Sequence, residues 1–491
     1  VKDSTPVGRQ YSTMSSEHST TTAVLPDSAG FLPPGLLSRL ESSGPRYTSY
    51  PTADRFVEAH GPEQHMRALA QRAAGVGGLA GSGAPLSVYV HVPFCESLCY
   101  YCACNKIITK HHERGAEYLK LLDAEILMWT QALGPRQGVT QLHLGGGSPT
   151  FLSDAELSQM TERLKAAFEW LPGIEASIEV DPRTVNEARL AHLKQLGFNR
   201  LSLGIQDFDE RVQQAVHRVQ SYAQVDALMK SARALGFQSI NLDLICGLPL
   251  QTTTSFKRTL EQVIELRPER IALYAYAHLP QRFKAQRRIH SVDIPLPEVR
   301  LQMHAQAIAA FLEAGYEHIG MDHFALPSDA LAQAKRQGRL HRNFQGYTVQ
   351  PDGDLIGLGV SAISRVGASY CQNAKTIEEY ADALQQGQWP VVRGIALSRD
   401  DLVRSAAIMA LMCQGRLDFQ ALADAHLIDP RKYFAAELEA LQSHAEQGLV
   451  TITDQAVEIT ALGWFFVRSI AAVFDRFLQL EGAREKFSKI I

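Results

Sequence analysis

The sequence predicts an α/β protein built around a parallel sheet. Short runs rich in apolar and β-branched residues alternate six times with longer segments of helical apolar spacing. Such strand-then-helix units form a parallel sheet with helical crossovers, either an open doubly wound sheet or a partial or complete barrel. The six expected strands are residues 87–92, 140–144, 176–180, 200–204, 239–244 and 270–276. The helices expected between them are residues 116–133, 154–170, 185–196, 222–235 and 253–266.

The sequence on either side of these units predicts a leader and a second domain. Residues 1–40 are expected to be disordered, because residues 12–22 hold eight Ser or Thr and almost nothing apolar to offset the entropy of ordering. Residues 41–395 are expected to form the barrel domain, including an N-terminal lead-in segment. Residues 396–491 are expected to form a mostly helical, winged-helix-like domain. Its expected elements are helices at 398–413, 418–426 and 433–447, a hairpin of 449–453 and 457–460, and one long final helix.

The composition excludes several classes of function. The chain has 491 residues with 48 Lys and Arg against 52 Asp and Glu, so its net charge of -4 creates no global basic field that would attract nucleic acid. The longest apolar runs fall well short of the ~18 residues of a membrane-crossing helix, and no secretory signal is visible. We therefore expect a cytoplasmic protein with no membrane span and no nucleic-acid partner.

The polar and glycine-rich features of the sequence follow the carboxyl ends of the predicted strands. Parallel α/β sheets and barrels bind ligands at this edge, because the loops converge there. We therefore expect these features to share one site. They are four cysteines after the first strand, the Gly145-Gly146-Gly147-Ser148 run after the second, Glu179 and Asp181 after the third, Gln206 after the fourth, Asp243 in the fifth and His278 after the sixth.

Four of the seven cysteines lie within ten residues, at Cys95, Cys99, Cys102 and Cys104. This C-x3-C-x2-C-x-C spacing packs the thiols onto one loop, whereas structural zinc sites usually join two pairs separated by a dozen or more residues. An iron–sulfur cluster suits the spacing better, with zinc and an unligated thiol group as alternatives. Four cysteines allow full coordination. A cysteine two positions after a ligand points awkwardly for the same cubane, so three protein ligands and one open iron position is a second option.

The remaining features suit a polar ligand. Glycines at residues 145–147 remove side chains so that a ligand can approach the backbone N–H groups, although a tight turn also explains such a run. Glu179 and Asp243 are either acids paired within the barrel or, on the binding rim, carboxylates for ribose or ammonium recognition. Arg218 offers a forked donor for a carboxylate, or is an ordinary solvated helix residue.

The cysteine loop resembles that of the radical S-adenosylmethionine (SAM) enzymes. An aromatic residue, Tyr101, precedes the third cysteine, and the glycine-rich turn at residues 145–150 is similar to the second motif of that superfamily. From about residue 45 to the C-terminus the chain is also similar to the oxygen-independent coproporphyrinogen III oxidase family. The segments that carry this similarity are PRYTSYPT (45–52), Cys104, IEVDPR (178–183), GMDHF (320–324) and HRNFQGY (341–347).

The resemblance implies a fold and a chemistry. The fold is a partial TIM-like (β/α)6 radical SAM barrel, followed by the winged-helix-like domain. A 4Fe-4S cluster is expected on Cys95, Cys99 and Cys102, with Cys104 not a ligand and the fourth iron open to SAM. The 5'-deoxyadenosyl radical made from SAM is expected to start the conversion of two propionates of coproporphyrinogen III to vinyl groups. The product is protoporphyrinogen IX, in haem biosynthesis.

The resemblance also implies two SAM molecules and assigns contacts to each. One SAM is expected to contact Tyr89, Gly146, Glu179 and Ile363. The other is expected to contact Tyr101, Gly147, Ser148, Gln206, Arg218, Asp243 and Ala277. Tyr89 is also expected to lie near the porphyrinogen substrate, as the candidate catalytic-site side chain.

The family implies a low-potential electron donor, such as flavodoxin or ferredoxin, and we expect a monomer. Two other functions stay open on the sequence: a haem-trafficking chaperone, whose relatives generally lack the PRYTSYPT-like segment and the fourth cysteine, and a radical SAM enzyme of another tetrapyrrole reaction. Ala103, Cys246 and Ala275 depart from the family pattern without removing an expected ligand. We expect Cys246 to be a small buried residue.

Overall fold

The computed structural model describes residues 44–75, 84–134 and 136–481. The expected leader at residues 1–40 and the glycine-rich stretch at 76–83 lie outside the described residues. Within the described part of the chain, every helix is too short or too polar to cross a bilayer.

The strands are numbered in chain order. They are β1 (Leu86–Val92), β2 (Phe94–Cys95), β3 (Ile107–Ile108), β4 (Gly138–Gly146), β5 (Glu169–Val180), β6 (Arg200–Gln206), β7 (Ser239–Cys246), β8 (Arg270–Ala275), β9 (Glu317–Gly320), β10 (His323–Ala325), β11 (His341–Asn343), β12 (Gly346–Thr348), β13 (Leu355–Leu358), β14 (Ile363–Val366), β15 (Ser369–Asn373), β16 (Val391–Ala396), β17 (Arg416–Asp418), β18 (Val450–Ile452) and β19 (Ala456–Ile459).

The α-helices connect and cover these strands. They are Pro62–Ala73, Glu113–Leu133, Asp154–Ala167, Glu187–Leu196, Glu210–Ala215, Tyr222–Ala234, Thr253–Leu266, Pro297–Glu313, Ala330–Arg336, Ile377–Gln385, Arg399–Gln414, Phe419–His426, Pro430–Tyr433, Ala435–Ala440, Gln442–Ala445, Val467–Ala472 and Arg476–Glu481. Short 3-10 turns lie at Ala53–Arg55, Pro149–Phe151, Pro182–Thr184, Lys284–Arg288, Ser291–Asp293 and Gly463–Phe466.

All six predicted strands are present, and they lie side by side in chain order as β1-β4-β5-β6-β7-β8. Each is parallel to its neighbour. A doubly wound sheet reverses its strand order partway, whereas an unreversed order with right-handed crossovers places the helices on one face, as in a barrel wall. The full sheet runs from β16 at one edge to β9 at the other, so it does not close. The prediction of a partial (β/α)6 barrel is confirmed.

Strands that were not predicted extend this wall at both sides. β13 pairs in parallel with β1, and β14, β15 and β16 follow it in antiparallel order. At the other side β10 pairs antiparallel with β8, and β9 with β10. These added strands have three to six residues, and β13 joins a strand more than 260 residues earlier in the chain. Such short runs have little periodicity, and the pairing that stabilises them is long-range.

Three of the helix predictions are wrong. The helix expected at 154–170 ends at Ala167, because Phe168 is extended and the next residues pair with β4. The helix expected at 433–447 is divided into three short helices between Pro430 and Ala445. The long final helix is also absent from the described residues up to 481. A second helix starts at Arg476 because Asp475 caps the amides of Phe477 and Leu478.

The C-terminal region has the expected winged-helix-like pattern. Strands β17, β19 and β18 form a small antiparallel sheet beside the helices that begin with Arg399–Gln414. This region shares an apolar core with Tyr47 and Tyr50 of the lead-in segment, while the barrel strands and their covering helices form another. Cys246 is buried at the end of β7, as predicted.

Candidate active site

The two faces of the barrel wall differ in polarity because side chains alternate along each strand. On β5, Ala176 and Ile178 are fully buried towards the helices, whereas Glu179 on the opposite face is half-buried. On β7, Leu242 is fully buried and Asp243 is half-buried. The inner face of the wall is therefore polar, which is unusual for a packed barrel and typical of a ligand site.

A cavity of about 660 Å³ opens at the carboxyl ends of β4 to β8. This volume lies in the range of small-molecule sites. The cavity brings together most of the residues that the sequence nominated. They are Cys95, Cys99, Cys102, Tyr101, Gly146, Gly147, Ser148, Glu179, Gln206, Arg218 and Asp243, with Cys104 also in the lining.

Among the described residues, Tyr89, Ala277 and Ile363 do not line this cavity. Tyr89 is a residue of β1, and its ring stacks on the ring of His143 with 5.9 Å between the centroids. His143 Nε2 in turn lies 3.3 Å from Glu179 Oε1. Ala277 borders the site through its backbone: Gln286 donates one hydrogen bond to its carbonyl and another to the carbonyl of Tyr101. Ile363 lies on β14, two strands beyond β1.

The cysteine loop begins in β2 with Cys95. Cys95 pairs with Ile108 of β3, so the two ends of the loop are held together. Cys99 is buried, Cys95 and Cys102 are half-buried, and Cys104 is exposed. Two arginines point at the most buried thiol: Arg218 Nη1 lies 3.5 Å and Arg183 Nη2 lies 3.7 Å from Cys99 Sγ. Both guanidinium groups therefore place positive charge beside the sulfur of Cys99.

The acid–base environment of the loop differs between its thiols. A hydrogen bond from Cys104, together with nearby Lys106, lowers the pKa of Cys102 to about 6. Burial raises the pKa of Cys95 to about 12. Lys106 also donates to the carbonyl of Cys102 at 3.1 Å, so the ammonium group is fixed beside the loop.

The donor set fits an iron–sulfur cluster. Within the described residues, no three or more His, Cys, Asp or Glu side chains converge on a single metal ion. Three thiols that line one cavity together with two arginines suit a cluster, because Cys thiolates are the usual ligands of iron–sulfur clusters. Cys95, Cys99 and Cys102 are the residues that would hold it.

Two carboxylates on the inner face are held in different charge states. Although desolvation would raise its pKa, hydrogen bonds from His143 and from the N–H of Gly146 keep the pKa of Glu179 below its ordinary value. Desolvation in the wall, with the negative charge of Glu179 nearby, raises the pKa of Asp243 to about 7. Asn241 Nδ2 donates to one oxygen of Asp243 at 2.8 Å, and Ser202 Oγ donates to the other at 3.2 Å.

The glycine-rich turn serves the fold rather than offering free amides. The N–H of Gly146 donates to Glu179, that of Gly147 to the carbonyl of Val92, and that of Ser148 to the carbonyl of Phe94. These three amides are therefore engaged within the fold, which favours the tight-turn interpretation of the glycine run. A Cβ on Gly147 would lie 2.6 Å from the oxygen of Phe94, and Gly146 has a φ of +112°, so glycine is required for the cysteine loop to pack on β4.

Sequence reasoning placed Asp181 on the rim without giving it a role, and it missed Arg183 as a site residue. Both line the cavity, and Asp181 accepts from Arg183 Nη2 at 2.6 Å and from Arg218 Nη1 at 3.3 Å. Asp181 thus holds both arginines against Cys99. Desolvation opposes its charge, but the two arginines hold the pKa of Asp181 below its usual range. The available signal for Arg183 was its position shortly after β5, on the same rim as Asp181 and the other features.

The polar, cysteine-lined cavity at the mouth of an open parallel barrel is the arrangement expected of a radical SAM protein. The family model described as the radical SAM superfamily matches residues 89–263, and the model described as the HemN C-terminal domain matches residues 397–466. Over 458 residues the chain is 46% identical to the oxygen-independent coproporphyrinogen III oxidase of Pseudomonas aeruginosa, covering 93% of this chain and 98% of that protein. Over 459 residues it is 44% identical to the Escherichia coli protein of the same name, with coverage of 93% and 98%.

The fold comparison agrees with the sequence comparison. The solved structure described as coproporphyrinogen III oxidase (HemN) from Escherichia coli, a radical SAM enzyme, is similar to this chain with a TM-score of 0.84. The identity is 44%, and the match covers 88% of this chain and 98% of that one. The chain belongs to the oxygen-independent coproporphyrinogen III oxidase family.

Proposed function

We propose that this protein converts two propionate side chains of coproporphyrinogen III to vinyl groups without oxygen, giving protoporphyrinogen IX in haem biosynthesis. The observation that carries the proposal is that three cysteine thiols, two arginines and two inner-face carboxylates line one cavity in a chain of this family. Each conversion removes one hydrogen atom, one carbon dioxide and one electron from a propionate.

Cys95, Cys99 and Cys102 would hold a 4Fe-4S cluster in this cavity, and Cys104 would not be a ligand. The exposed position of Cys104, against the buried or half-buried positions of the other three, supports this division. With SAM bound, the cluster supplies reductive cleavage of the sulfonium and hence the 5'-deoxyadenosyl radical that abstracts hydrogen.

The residues of the wall would bind and orient two SAM molecules. Glu179, ionised and fixed by His143, is suited to accept from ribose hydroxyls or an ammonium group. Asp243, held from both sides by Asn241 and Ser202, offers a second acceptor at a fixed position. Arg218 is anchored by the carbonyl of Gly204 at 2.6 Å, which keeps its charge beside Cys99, where a ligand carboxylate would be attracted.

The remaining expected contacts form the border of the same site. Gln206, Tyr101, Gly146, Gly147 and Ser148 line the cavity and would contact SAM directly. Ala277 is joined to the Tyr101 carbonyl through Gln286, which supports a role for it at the edge of the site. For Tyr89 and Ile363 we propose contacts with SAM, and for Tyr89 also with the porphyrinogen; the stacking of Tyr89 on His143 behind Glu179 supports its assignment.

We also propose the wider setting of the enzyme. An external low-potential donor, such as flavodoxin or ferredoxin, would supply the electron. We propose that the protein is a monomer. The cysteines of the described residues are free thiols, which supports the cytoplasm as the compartment. We propose a division into residues 1–40, 41–395 and 396–491; the second apolar core, which draws mostly on residues after 396, supports the boundary between the last two.

The experiment that tests the function is anaerobic reconstitution with iron and sulfide, followed by incubation with SAM, dithionite and coproporphyrinogen III. We expect 5'-deoxyadenosine, and a product lighter than the substrate by two carbon dioxide molecules and four hydrogen atoms, measured by mass spectrometry. Turnover of haem in place of coproporphyrinogen, or tight haem binding with no turnover, would contradict the proposal.

Cysteine variants test the assignment of the cluster ligands. Cys99→Ala is expected to abolish the visible absorption of the reconstituted cluster and the cleavage of SAM, because a buried ligand is lost. Cys104→Ala is the matched control on the same loop and is expected to keep the absorption and the iron content. Loss of the cluster in Cys104→Ala but not in Cys99→Ala would show that the ligand assignment is wrong.

A further inference from the structure

A strongly basic surface lies beside the cysteine loop and has no role in the site described above. It consists of Lys284, Arg287, Arg288 and His290, all exposed, around the 3-10 turn Lys284–Arg288. No Asp or Glu occurs between residues 281 and 290, in a chain whose net charge is -4. Within the described part of the chain, Lys284, Arg287 and Arg288 form no ion pair with a carboxylate.

This basic surface is attached to the cysteine loop by direct contacts. Arg288 Nη1 lies 3.3 Å from the hydroxyl of Tyr100, and its guanidinium carbon lies 5.2 Å from the centre of the Tyr100 ring. Gln286, in the same turn, donates to the carbonyl of Tyr101 at 3.0 Å. Tyr100 immediately follows Cys99, so the basic surface borders the cysteine loop.

A second exposed group extends this face. The ring of His217 stacks on Tyr100 at 5.2 Å, with an interplanar angle of 9°. His217 Nδ1 lies 2.9 Å from the carbonyl of Leu98, and Tyr100 N–H donates to the carbonyl of Val216. The loop that carries Cys99 is thereby held on a fixed, partly aromatic face that is flanked by uncompensated positive charge.

We infer that the basic surface is the docking site of an acidic one-electron carrier protein. The inference rests on the proposed function, because cleavage of SAM consumes one electron that this chain has no means of generating. At each encounter one electron leaves the carrier and one enters the cluster. Opposite charge steers a carrier to this face, and the Tyr100 ring lies at the contact next to Cys99.

The small-molecule substrate is a weaker candidate for this surface. Coproporphyrinogen also carries negative charge, but Lys284, Arg287, Arg288 and His290 are absent from the described lining of the 660 Å³ cavity. Exposed cations outside a cavity do not enclose a small ligand, whereas the rim of a protein interface is polar, charged and open to solvent.

The inference is tested by the affinity of reconstituted protein for an acidic flavodoxin, measured by calorimetry at several ionic strengths. We expect the Kd of the parent to rise with salt, because screening weakens contacts between exposed charges. Lys284→Gln/Arg287→Gln is expected to weaken binding about fivefold at low salt, with a smaller difference at high salt. These two positions avoid Arg288, whose contact with Tyr100 supports the loop.

Lys230→Gln/Lys257→Gln is the matched control, with the same change in charge on helices Tyr222–Ala234 and Thr253–Leu266. It is expected to change the Kd by less than about twofold, since exposed charges far from a contact add little. Equal weakening in both double variants, or binding by the parent that does not depend on salt, would overturn the inference. Weakened binding of coproporphyrin with unchanged flavodoxin binding would assign the surface to the substrate and would also overturn it.

The failure of this inference can be distinguished from failure of the proposed function. Production of 5'-deoxyadenosine by the parent protein with dithionite depends on the cluster and SAM but on no carrier. If that reaction fails, the proposed function is wrong. If it succeeds and the charge variants bind flavodoxin like the parent, only the docking surface is wrong.

Discussion

At the scale of single residues, the balance between desolvation, neighbouring charge and hydrogen bonding decides which acids of the barrel wall are charged. Glu179 and Asp243 both point into the cavity, yet the pKa of Glu179 is lowered by His143 and Gly146, whereas that of Asp243 is raised to about 7. Each carboxylate also accepts from a neighbouring strand. The wall therefore presents one acid that is ionised at neutral pH and one that titrates there.

The titration of Asp243 predicts a pH dependence of SAM binding. Because a ribose hydroxyl or ammonium group prefers the ionised carboxylate, affinity is expected to fall as the pH decreases through about 7, where Asp243 gains a proton. One unit below that pKa, the Kd is expected to be about tenfold higher. Calorimetric titration of reconstituted protein with SAM, between mildly acidic and mildly alkaline pH, measures this change in Kd.

Asp243→Asn keeps the size of the side chain and removes its charge. The variant is expected to bind SAM weakly at every pH and to lack the step near neutrality. If the variant and the parent lose affinity in parallel as the pH falls, another group is responsible for the pH dependence.

At the scale of elements, one buried acid joins the barrel to the unpredicted strands. Glu125, on the helix Glu113–Leu133, accepts hydrogen bonds from the N–H of Gly359, the amide of Asn373 and the hydroxyl of Tyr380 at 2.5 to 2.7 Å. These partners belong to the end of β13, to β15 and to the helix Ile377–Gln385. A helix early in the chain is thereby bound to three elements near residue 370.

Glu125 predicts a component of stability that depends on pH. Burial raises its pKa from an ordinary value of 4.5 to about 7 in the folded protein, so folding favours the protonated acid. This contribution is fully present below about pH 4.5 and is lost as the pH rises through about 7. The expected loss in free energy of unfolding is on the order of 3 kcal/mol.

Denaturant unfolding at a series of pH values measures this loss. Glu125→Gln cannot ionise and is expected to lack this loss of stability with rising pH. Glu117→Gln, an exposed change on the same helix, is expected to show the same loss as the parent. A pH profile of Glu125→Gln that matches the parent would contradict the prediction.

At the scale of the whole molecule, the lead-in segment holds the C-terminal region against the barrel. Tyr47 is buried and donates to Asp475 at 3.0 Å, and the N–H of Arg476 donates to the hydroxyl of Tyr50 at 3.3 Å. Arg468 donates to the carbonyl of Pro45 at 3.1 Å. Residues more than 400 positions apart thus share one core, so the C-terminal region does not pack as an independent unit.

Removal of one hydroxyl tests this connection. Tyr47→Phe leaves a buried carboxylate oxygen of Asp475 without its donor, and we expect it to lower the free energy of unfolding by about 1–2 kcal/mol. Hydrogen exchange followed by mass spectrometry is expected to show faster exchange in residues 44–56 and 467–481 and no change in the barrel strands. Uniformly faster exchange over the whole chain would mean that the lead-in segment does not act locally.

The sequence could predict the barrel strands and most of the cavity because each rests on local signals. Apolar alternation located all six parallel strands, and the carboxyl-end rule then placed Glu179, Gln206 and Asp243 on one rim. The same rule was available for Asp181 but gave no indication that its carboxylate would hold two arginines. Short strands such as β13 were missed, because four residues carry too little periodicity to be distinguished from a loop.

The sequence by itself determined the positions of the six parallel strands and the cysteine spacing, since both depend on residues that are neighbours along the chain. The tertiary structure decided which donors are already engaged and which charges are compensated. It showed that the amides of Gly146 and Gly147 are bound within the fold, and that Glu179 and Asp243 differ in pKa. Those properties depend on contacts between distant segments, because burial and hydrogen bonding of a group are set by whatever the folded chain brings next to it.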